Sequence, residues 1–411
     1  LKRDVLSRLT SRDPEQFWTS GQWMTERTGG SDVGGSETVA RQQGNQWPLS
    51  GTKWFTSAIT SQMAMTLGRI EDENGNVVEG SRGLSLFYVE LKDGEGNPNH
   101  LEILRLKDKL GTRALPTAEV RLEEIPAVMV GQQGDGVKTI ATLFNVTRIY
   151  NACTTMGAWR RLLDLAIDYS KKRVAFKKPI AEHPLHYRML SDIEVDFHAC
   201  FHLVVYVARL LGREETGEGS SQESSLLRLL TPIAKLYCAK KNLAATTELI
   251  ESFGGAGYLE DTGLPRWLRD NQVLTIWEGT TNVLSLDVLR AVTRENALPA
   301  FISDVRGRVE PLPDTDARRR VLDELERLEE YAALSGKLSM EEVEYGARDF
   351  AVSLGNLLCA SLLLEHASAL PDDHAASFAA RQFCGKPLFG VTVADDEERE
   401  ARRALFLSDG P

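Results

Sequence analysis

Between about residues 20 and 133 the chain alternates short apolar runs with turn signals. Runs at 38–41, 53–57, 63–69 and 84–89 are separated by GG at 29–30 and 34–35, then by DENGN and DGEGN. Runs of this length bounded by Gly, Asn and Asp predict strands joined by tight turns. Three stretches end in short loops marked by Pro98, Pro116 and Pro126, so residues 20–135 read as a compact, mostly antiparallel β domain. From about 136 the apolar residues recur at i, i+3 and i+4, the period of a helix. Helices are predicted over 137–173, 191–211 and 223–253, the last ending at Gly254-Gly255, where glycine can take the left-handed conformation. Asp270 reads as an N-cap for 271–276, and Thr280 and Thr281 as caps for 282–294. The four longer of these helices, with short connections, predict an antiparallel four-helix bundle over 136–296. Beyond Pro299, helices over about 314–335, 340–368, 374–383 and 395–407 predict a helical extension over 297–411. The fold class is α+β.

Charge sharpens this division. The chain has 411 residues and a net charge of −11. Residues 301–411 hold 13 Lys and Arg against 22 Asp and Glu, so the acidity sits in the last quarter and suggests a separate unit there. That balance disfavours nucleic acid as a partner, because no net field draws the chain to a phosphate backbone. Five scattered cysteines, none paired as CxxC, fit a reducing compartment and neither a disulfide scaffold nor a zinc ribbon. No run of 18 apolar residues occurs, so no membrane-spanning helix is expected. The opening LKRDVLSRLTSRDPEQ starts at Leu1 and has no apolar signal-peptide core, which reads as the interior of a longer protein. An intracellular site is expected, with mitochondrial, peroxisomal and cytoplasmic placements all open.

Two polar turns could carry chemistry. WMTERTGGSDVGGSET (23–38) is rich in glycine and hydroxyls, which let backbone amides approach a phosphate or a flavin edge, although an ordinary hairpin loop would look the same. It matches neither GxGxxG nor GxxxxGK[ST]. In IWEGTTN (276–282), Glu278 lies between two predicted helices beside Trp277, an apolar neighbour able to desolvate it into a usable base; the plain alternative is a surface glutamate at a turn.

With KWFTS (53–57), these turns resemble the acyl-CoA dehydrogenase family of flavoproteins. MTERTGGSD resembles the family's MTEP-x-AGSD loop, KWFTS its K-x-W-I-T-N strand, and YSKKRVAFKKPI its Y-x-x-x-R-x-x-F-G-x-P-I segment. ESFGGAGY resembles Q-x-x-GG-x-G-[FY], and RDNQVLTIWEGTTNV resembles RD-x-x-x-x-x-I-[YW]-EGT-x-x-I. The motifs run in the family's order over about residues 20–295, and the extension resembles the AidB-like branch. The resemblance implies an N-terminal helical domain, of which residues 1–19 would be the remnant, then a β domain and a helical bundle, usually in a homotetramer.

It also implies roles. Met24, Thr25, Gly30, Ser31, Trp54 and Thr56 would bind FAD; Arg173, Phe176, Gly254 and Gly255 would reach the FAD of a neighbouring subunit; and Thr280 and Asn282 would hold its diphosphate or adenosine at a helix N-terminus. Ser31, Arg148 and Gly279 would contact the acyl-CoA substrate. Glu278 would be the catalytic base, removing an α-proton of a fatty acyl-CoA while a β-hydride passes to flavin N5. Asn145, Val146 and Thr147 offer no competing base on the preceding helix. Electrons would leave to electron-transferring flavoprotein or another acceptor. Two alternatives accompany this: acyl-CoA oxidase-like use of O2, or an AidB-like flavoprotein that protects against stress without catalysis, binding acyl groups or DNA.

Two departures stand out: Lys177 replaces the family's Gly, and Glu251 its Gln. His198 and His202 share a helix face but lack an acidic third ligand, so no metal site is expected.

Overall fold

The computed structural model describes residues 2–407, in two compact units, 1–144 and 145–411. Leu1 and residues 408–411, counted above with the N-terminal remnant and the extension, lie outside the described residues. In the first unit, helix α1 (Lys2–Leu9) precedes strands β1 (Ser20–Trp23), β2 (Val39–Arg41), β3 (Leu49–Ser57), β4 (Met63–Glu71), β5 (Leu84–Glu90), β6 (Leu101–Leu106), β7 (Thr117–Ile125) and β8 (Ala127–Val130). They form one sheet in the order β6-β7-β3-β2-β4-β5-β8, with β1 also on β4. Most pairings are antiparallel, as the turn signals predict, but β1 and β2 both run parallel to β4.

The turns owe their shape to aspartate. In DENGN, Asp72 accepts from the amides of Asn74 and Asn76; in DGEGN, Asp93 accepts from those of Glu95 and Asn97. A short carboxylate that binds its own backbone two residues on closes such a turn without help from the rest of the fold. Every residue of β5 except Glu90 is buried, and Phe87 and Val89 join Trp23, Leu49 and Val120 in the core of the sheet.

The second unit is helical. Helix α2 (Gly136–Lys172) begins in the first unit, where Ile140 packs with Met24, Leu67, Leu84 and Leu86, and continues into the second. It is followed by a two-stranded hairpin, β9 (Val174–Ala175) and β10 (Lys178–Pro179). Then come α3 (Pro184–Glu215), α4 (Ser221–Glu251), α5 (Leu264–Gln272) and α6 (Thr281–Glu295). Ser220 and Glu223 form a capping box at the start of α4. The expected cap at Asp270 is corrected: α5 starts six residues earlier, and Asp270 lies inside it, accepting from Arg266.

The extension comprises α7 (Leu298–Val309), α8 (Asp316–Ser335), α9 (Met340–Tyr345), α10 (Ala347–Ala369), α11 (His374–Cys384) and α12 (Asp396–Leu407). It is not a separate compact unit. One apolar core runs from Ile149 of α2 through α4 to Phe389, and α10 lies within it. Leu357, Leu358, Cys359 and Ala360 are completely buried there, and Gly355 lies so close to Tyr237 of α4 that an added Cβ would come within 2.7 Å of its ring. The acidic residues of the extension, Asp349 and Glu365 of α10 among them, lie at exposed or half-buried positions around that core. Both α3 and α10 are long and apolar enough to cross a membrane by length and composition, but 72% of the most apolar stretch of α10 is buried inside the protein.

The histidines on one face of α3 have protein partners. His198 meets Glu194, and His202 lies against His366 of α10 with ring centroids 4.5 Å apart; burial, with the charges of His366 and His198, pushes its pKa down to about 4. Trp159 is buried between helices, edge-on to Phe197.

Candidate active site

Glu278 sits in a tight loop. A short turn of helix, Val273–Thr275, closes α5, and Ile276 and Trp277 lead into Glu278 and Gly279 before Thr280 caps α6. Glu278 has φ 58° and Gly279 φ 106°. For a non-glycine residue this left-handed region costs roughly 1–2 kcal/mol, so it persists only where the surroundings impose it.

Two side chains hold that backbone, and a third holds the carboxylate. Arg148 Nε of α2 donates to the Glu278 carbonyl at 3.2 Å, and Lys235 Nζ of α4 donates to the Gly279 carbonyl at 2.6 Å. Thr147 Oγ1 donates to Glu278 Oε2 at 2.9 Å. Behind them, Asp287 of α6 grips Arg148 Nη1 through one oxygen and Arg228 through the other, both at 2.8 Å. Lys235 is wholly buried. Burial pushes its pKa down to about 7, against the charge of Glu278, which raises it, and together with Arg148, which lowers it further.

Glu278, Gly279 and Arg148 are therefore brought together, with Thr280 and Asn282 exposed on the following helix start. Thr280 caps α6 through its backbone alone, leaving the first amides of the helix without a side-chain cap. Arg148, expected at the substrate, has its guanidinium on the loop carbonyl and on Asp287. Trp277 is 37% exposed, and the Thr147 hydroxyl donates to the carboxylate. Sequence reasoning dismissed Thr147 as no base and overlooked Lys235 and Asp287. Lys235 did carry a signal, a charge within the apolar run TPIAKLYCA.

The first unit holds the other candidates. Met24 is buried, and Thr25 accepts from the Trp54 amide at 2.9 Å, joining the 23–38 loop to β3. A Cβ on exposed Gly30 would come within 2.6 Å of Thr25 Oγ1, so the bare glycine backbone there is required by packing and stays open beside exposed Ser31. The same loop and strand are pinned from beneath by Glu26 and Lys53, both buried, with Nζ 2.6 Å from Oε1. Burial alone would raise the Glu26 pKa; the Lys53 charge and hydrogen bonds from Lys53, Thr38 and the Glu37 amide hold it below the usual carboxylate range. Thr56 is buried and donates its hydroxyl proton to the Ala118 carbonyl, so its oxygen can act only as an acceptor toward a ligand. The ring of Trp54 has Lys107 Nζ 3.3 Å from its centroid, with Arg27 and Arg105 further out.

The remaining candidates lie at the other end of α2. Phe176 and Lys177 form the two-residue turn between β9 and β10 at φ 49° and 70°, the paired left-handed conformation of a tight hairpin. Tyr169, four residues before Arg173, packs on Phe253 with ring centroids 5.0 Å apart, and Phe253 leads directly into the exposed Gly254-Gly255 turn after α4. Glu251 is exposed at the end of α4. The 26 residues from Thr147 to Arg173 correspond to about 39 Å of helix at 1.5 Å per residue. No single small ligand bridges that distance within one copy.

Comparison with known proteins agrees with this division of the chain. Residues 21–125 match the family model of the acyl-CoA dehydrogenase middle domain, 134–293 that of the acyl-CoA dehydrogenase C-terminal domain, and 296–406 the acyl-CoA dehydrogenase 11 C-terminal domain-like family. Acyl-CoA dehydrogenase family member 11 of Caenorhabditis elegans is 44% identical over 99% of this chain, which spans 68% of that relative's length. The solved structure of the Caenorhabditis elegans protein ACDH-11 in complex with C11-CoA superimposes with a TM-score of 0.96 at 42% identity, over 99% of this chain and 71% of that one. The putative acyl-CoA dehydrogenase AidB of Escherichia coli is 33% identical over 69% of this chain and 50% of its own length. With the motifs, the sheet, the bundle and the extension all matched, this chain belongs to the acyl-CoA dehydrogenase family.

Proposed function

We propose that the protein dehydrogenates a fatty acyl-CoA between its α- and β-carbons, with Glu278 as the base. The observation that carries this is the loop at 278–279: a carboxylate whose costly backbone is held by two donors, and whose own oxygen is held by a third, is a group placed for a task. The carboxylate accepts the α-proton of the thioester. The thioester carbonyl takes up negative charge as that proton leaves, and the backbone amide of Glu278 would donate to it.

The residues fit FAD, by the bare backbone at Gly30 and the start of α6 without a side-chain cap. Met24, Thr25, Gly30, Ser31, Trp54 and Thr56 would hold its ring and diphosphate, and Thr280 and Asn282 its diphosphate or adenosine. When bound, FAD supplies the hydride acceptor. The separation along α2 supports Arg173, Phe176, Gly254 and Gly255 serving the cofactor of another copy, so the working form is at least a dimer and, in keeping with the family, a homotetramer. The C11-CoA bound by the similar ACDH-11 supports a medium-to-long acyl substrate. Electron-transferring flavoprotein is the proposed acceptor; fast peroxide formation after reduction would assign the oxidase reading instead. Placement inside the cell, in cytoplasm, mitochondrion or peroxisome, is proposed on the scattered unpaired cysteines alone.

The test is anaerobic addition of acyl-CoAs of graded chain length to the FAD-loaded protein. Flavin absorbance near 450 nm should bleach for the wild type, and Glu278→Gln should slow bleaching by about 10²–10⁴-fold, the usual contribution of a general base. Absorbance that persists with every chain length overturns the proposal and leaves acyl sequestration.

A further inference from the structure

The Glu278 loop hangs on a residue that no motif of the site contains. The carbonyls of Glu278 and Gly279 both turn toward cations, the first onto Arg148 and the second onto Lys235. In a planar trans peptide the N–H points opposite to the carbonyl. Fixing these two oxygens therefore aims the amides of Gly279 and Thr280 away from Arg148 and Lys235, and sets the rotation of the backbone that carries the Glu278 side chain. Arg148 is itself held by Asp287. Lys235 is wholly buried on a rigid interior stretch of α4, two residues before Tyr237, which packs against α10. A buried ammonium is costly to desolvate, and one placed 2.6 Å from a loop carbonyl is used by that loop.

We infer that Lys235 is a positioning residue for the base: through the Gly279 carbonyl it locks the left-handed pair 278–279 and so aims the Glu278 carboxylate. The inference rests on the proposed dehydrogenase reading for its kinetic consequence, though not for its structural one. The charged and titratable groups around Lys235 are Glu278 and Arg148, with Asp287 and Arg228 behind Arg148. A positive charge here also favours the ionised form of Glu278. Both effects disappear when the lysine is replaced by an apolar side chain of similar length, while the packing is kept.

The experiment uses FAD-loaded full-length wild type, Lys235→Met and Lys235→Gln, the last retaining an N–H donor without the charge. Rates of flavin reduction by an acyl-CoA are followed against pH, and backbone hydrogen exchange is followed for the peptide spanning 273–284. Lys235→Met should reduce the limiting rate by at least 10-fold with KM changed less than 3-fold. The acid limb of its pH profile should move upward, and exchange should quicken in that peptide alone. Lys235→Gln should recover part of the rate but not the position of the acid limb. Variants with wild-type rate, profile and exchange overturn the inference, as do variants that lose cooperative melting as a whole, which would make Lys235 a folding residue. A wild type that never bleaches overturns the dehydrogenase reading instead, and the exchange pattern alone then decides the role of Lys235.

Discussion

At the scale of single residues, the two ends of the chemistry use the same device, a buried lysine that holds a loop. Lys235 fixes the turn at 278–279. Lys53 binds Glu26 and the Leu67 carbonyl and so fixes the 23–38 loop against β3. Removing one partner of a buried pair leaves the other charge uncompensated, at a cost of about 3–5 kcal/mol. Lys53→Met should therefore lower thermal stability markedly and release FAD, whereas Lys53→Met combined with Glu26→Gln should recover much of the loss; comparing the melting temperatures of single and double variants checks this. Neither lysine could be assigned its role from sequence, because a charge inside an apolar run shows that something must pair with it but not what. The motif residues were legible for the opposite reason. Glu278, Thr25, Gly30 and Trp54 stand in spaced patterns whose order along the chain carried the family, while Thr147, Lys235 and Asp287 act through partners 44 to 139 positions away.

Among the elements, the sequence misjudged helix starts more than helix existence. α3, α5 and α7 each begin with proline at the first or second position. Proline lacks an N–H where the helix leaves one unpaired anyway, and its fixed φ suits the first turn. The expected start of α3 at 191 falls seven residues after the observed one at 184, and α7 lies outside the expected helices. The strands β6 and β7 were missed because charges interrupt them: LEILRL and TAEVRLEEI show weak alternation, and their pairing with one another and with β3 makes them strands. The β9–β10 turn offers a test at this scale. Lys177 occupies a left-handed position that a side chain disfavours by roughly 1–2 kcal/mol. Lys177→Gly should raise the melting temperature by a few degrees while leaving subunit assembly, read by light scattering, unchanged. A destabilised variant would show that the lysine makes a contact worth more than the strain.

On the scale of the whole molecule, the helical bundle and the extension are one object. The charge asymmetry suggests a separate unit in the last quarter, but charge reports surfaces, and the core is decided by the uncharged face of α10. Deleting 297–411 would expose the apolar surfaces of α3, α4 and α6 that α10 covers. Each Å² of apolar surface uncovered costs roughly 25 cal/mol, against a domain stability of only about 5–15 kcal/mol. The truncated chain should aggregate when expressed, and a soluble, monodisperse 1–296 product on gel filtration would overturn this reading of the core.

The length of α2 has a consequence for dilution. On the proposed reading, each chain keeps its base at one end of that helix and lends Arg173 and Phe176 to a different copy from the other. A fully folded chain without a neighbour would then hold half of two sites and complete neither. Activity per chain should collapse below the concentration at which copies separate, with no accompanying loss of helix. A fold signal that stays level while turnover falls away would mark the point where the protein stops being an enzyme before it stops being a structure.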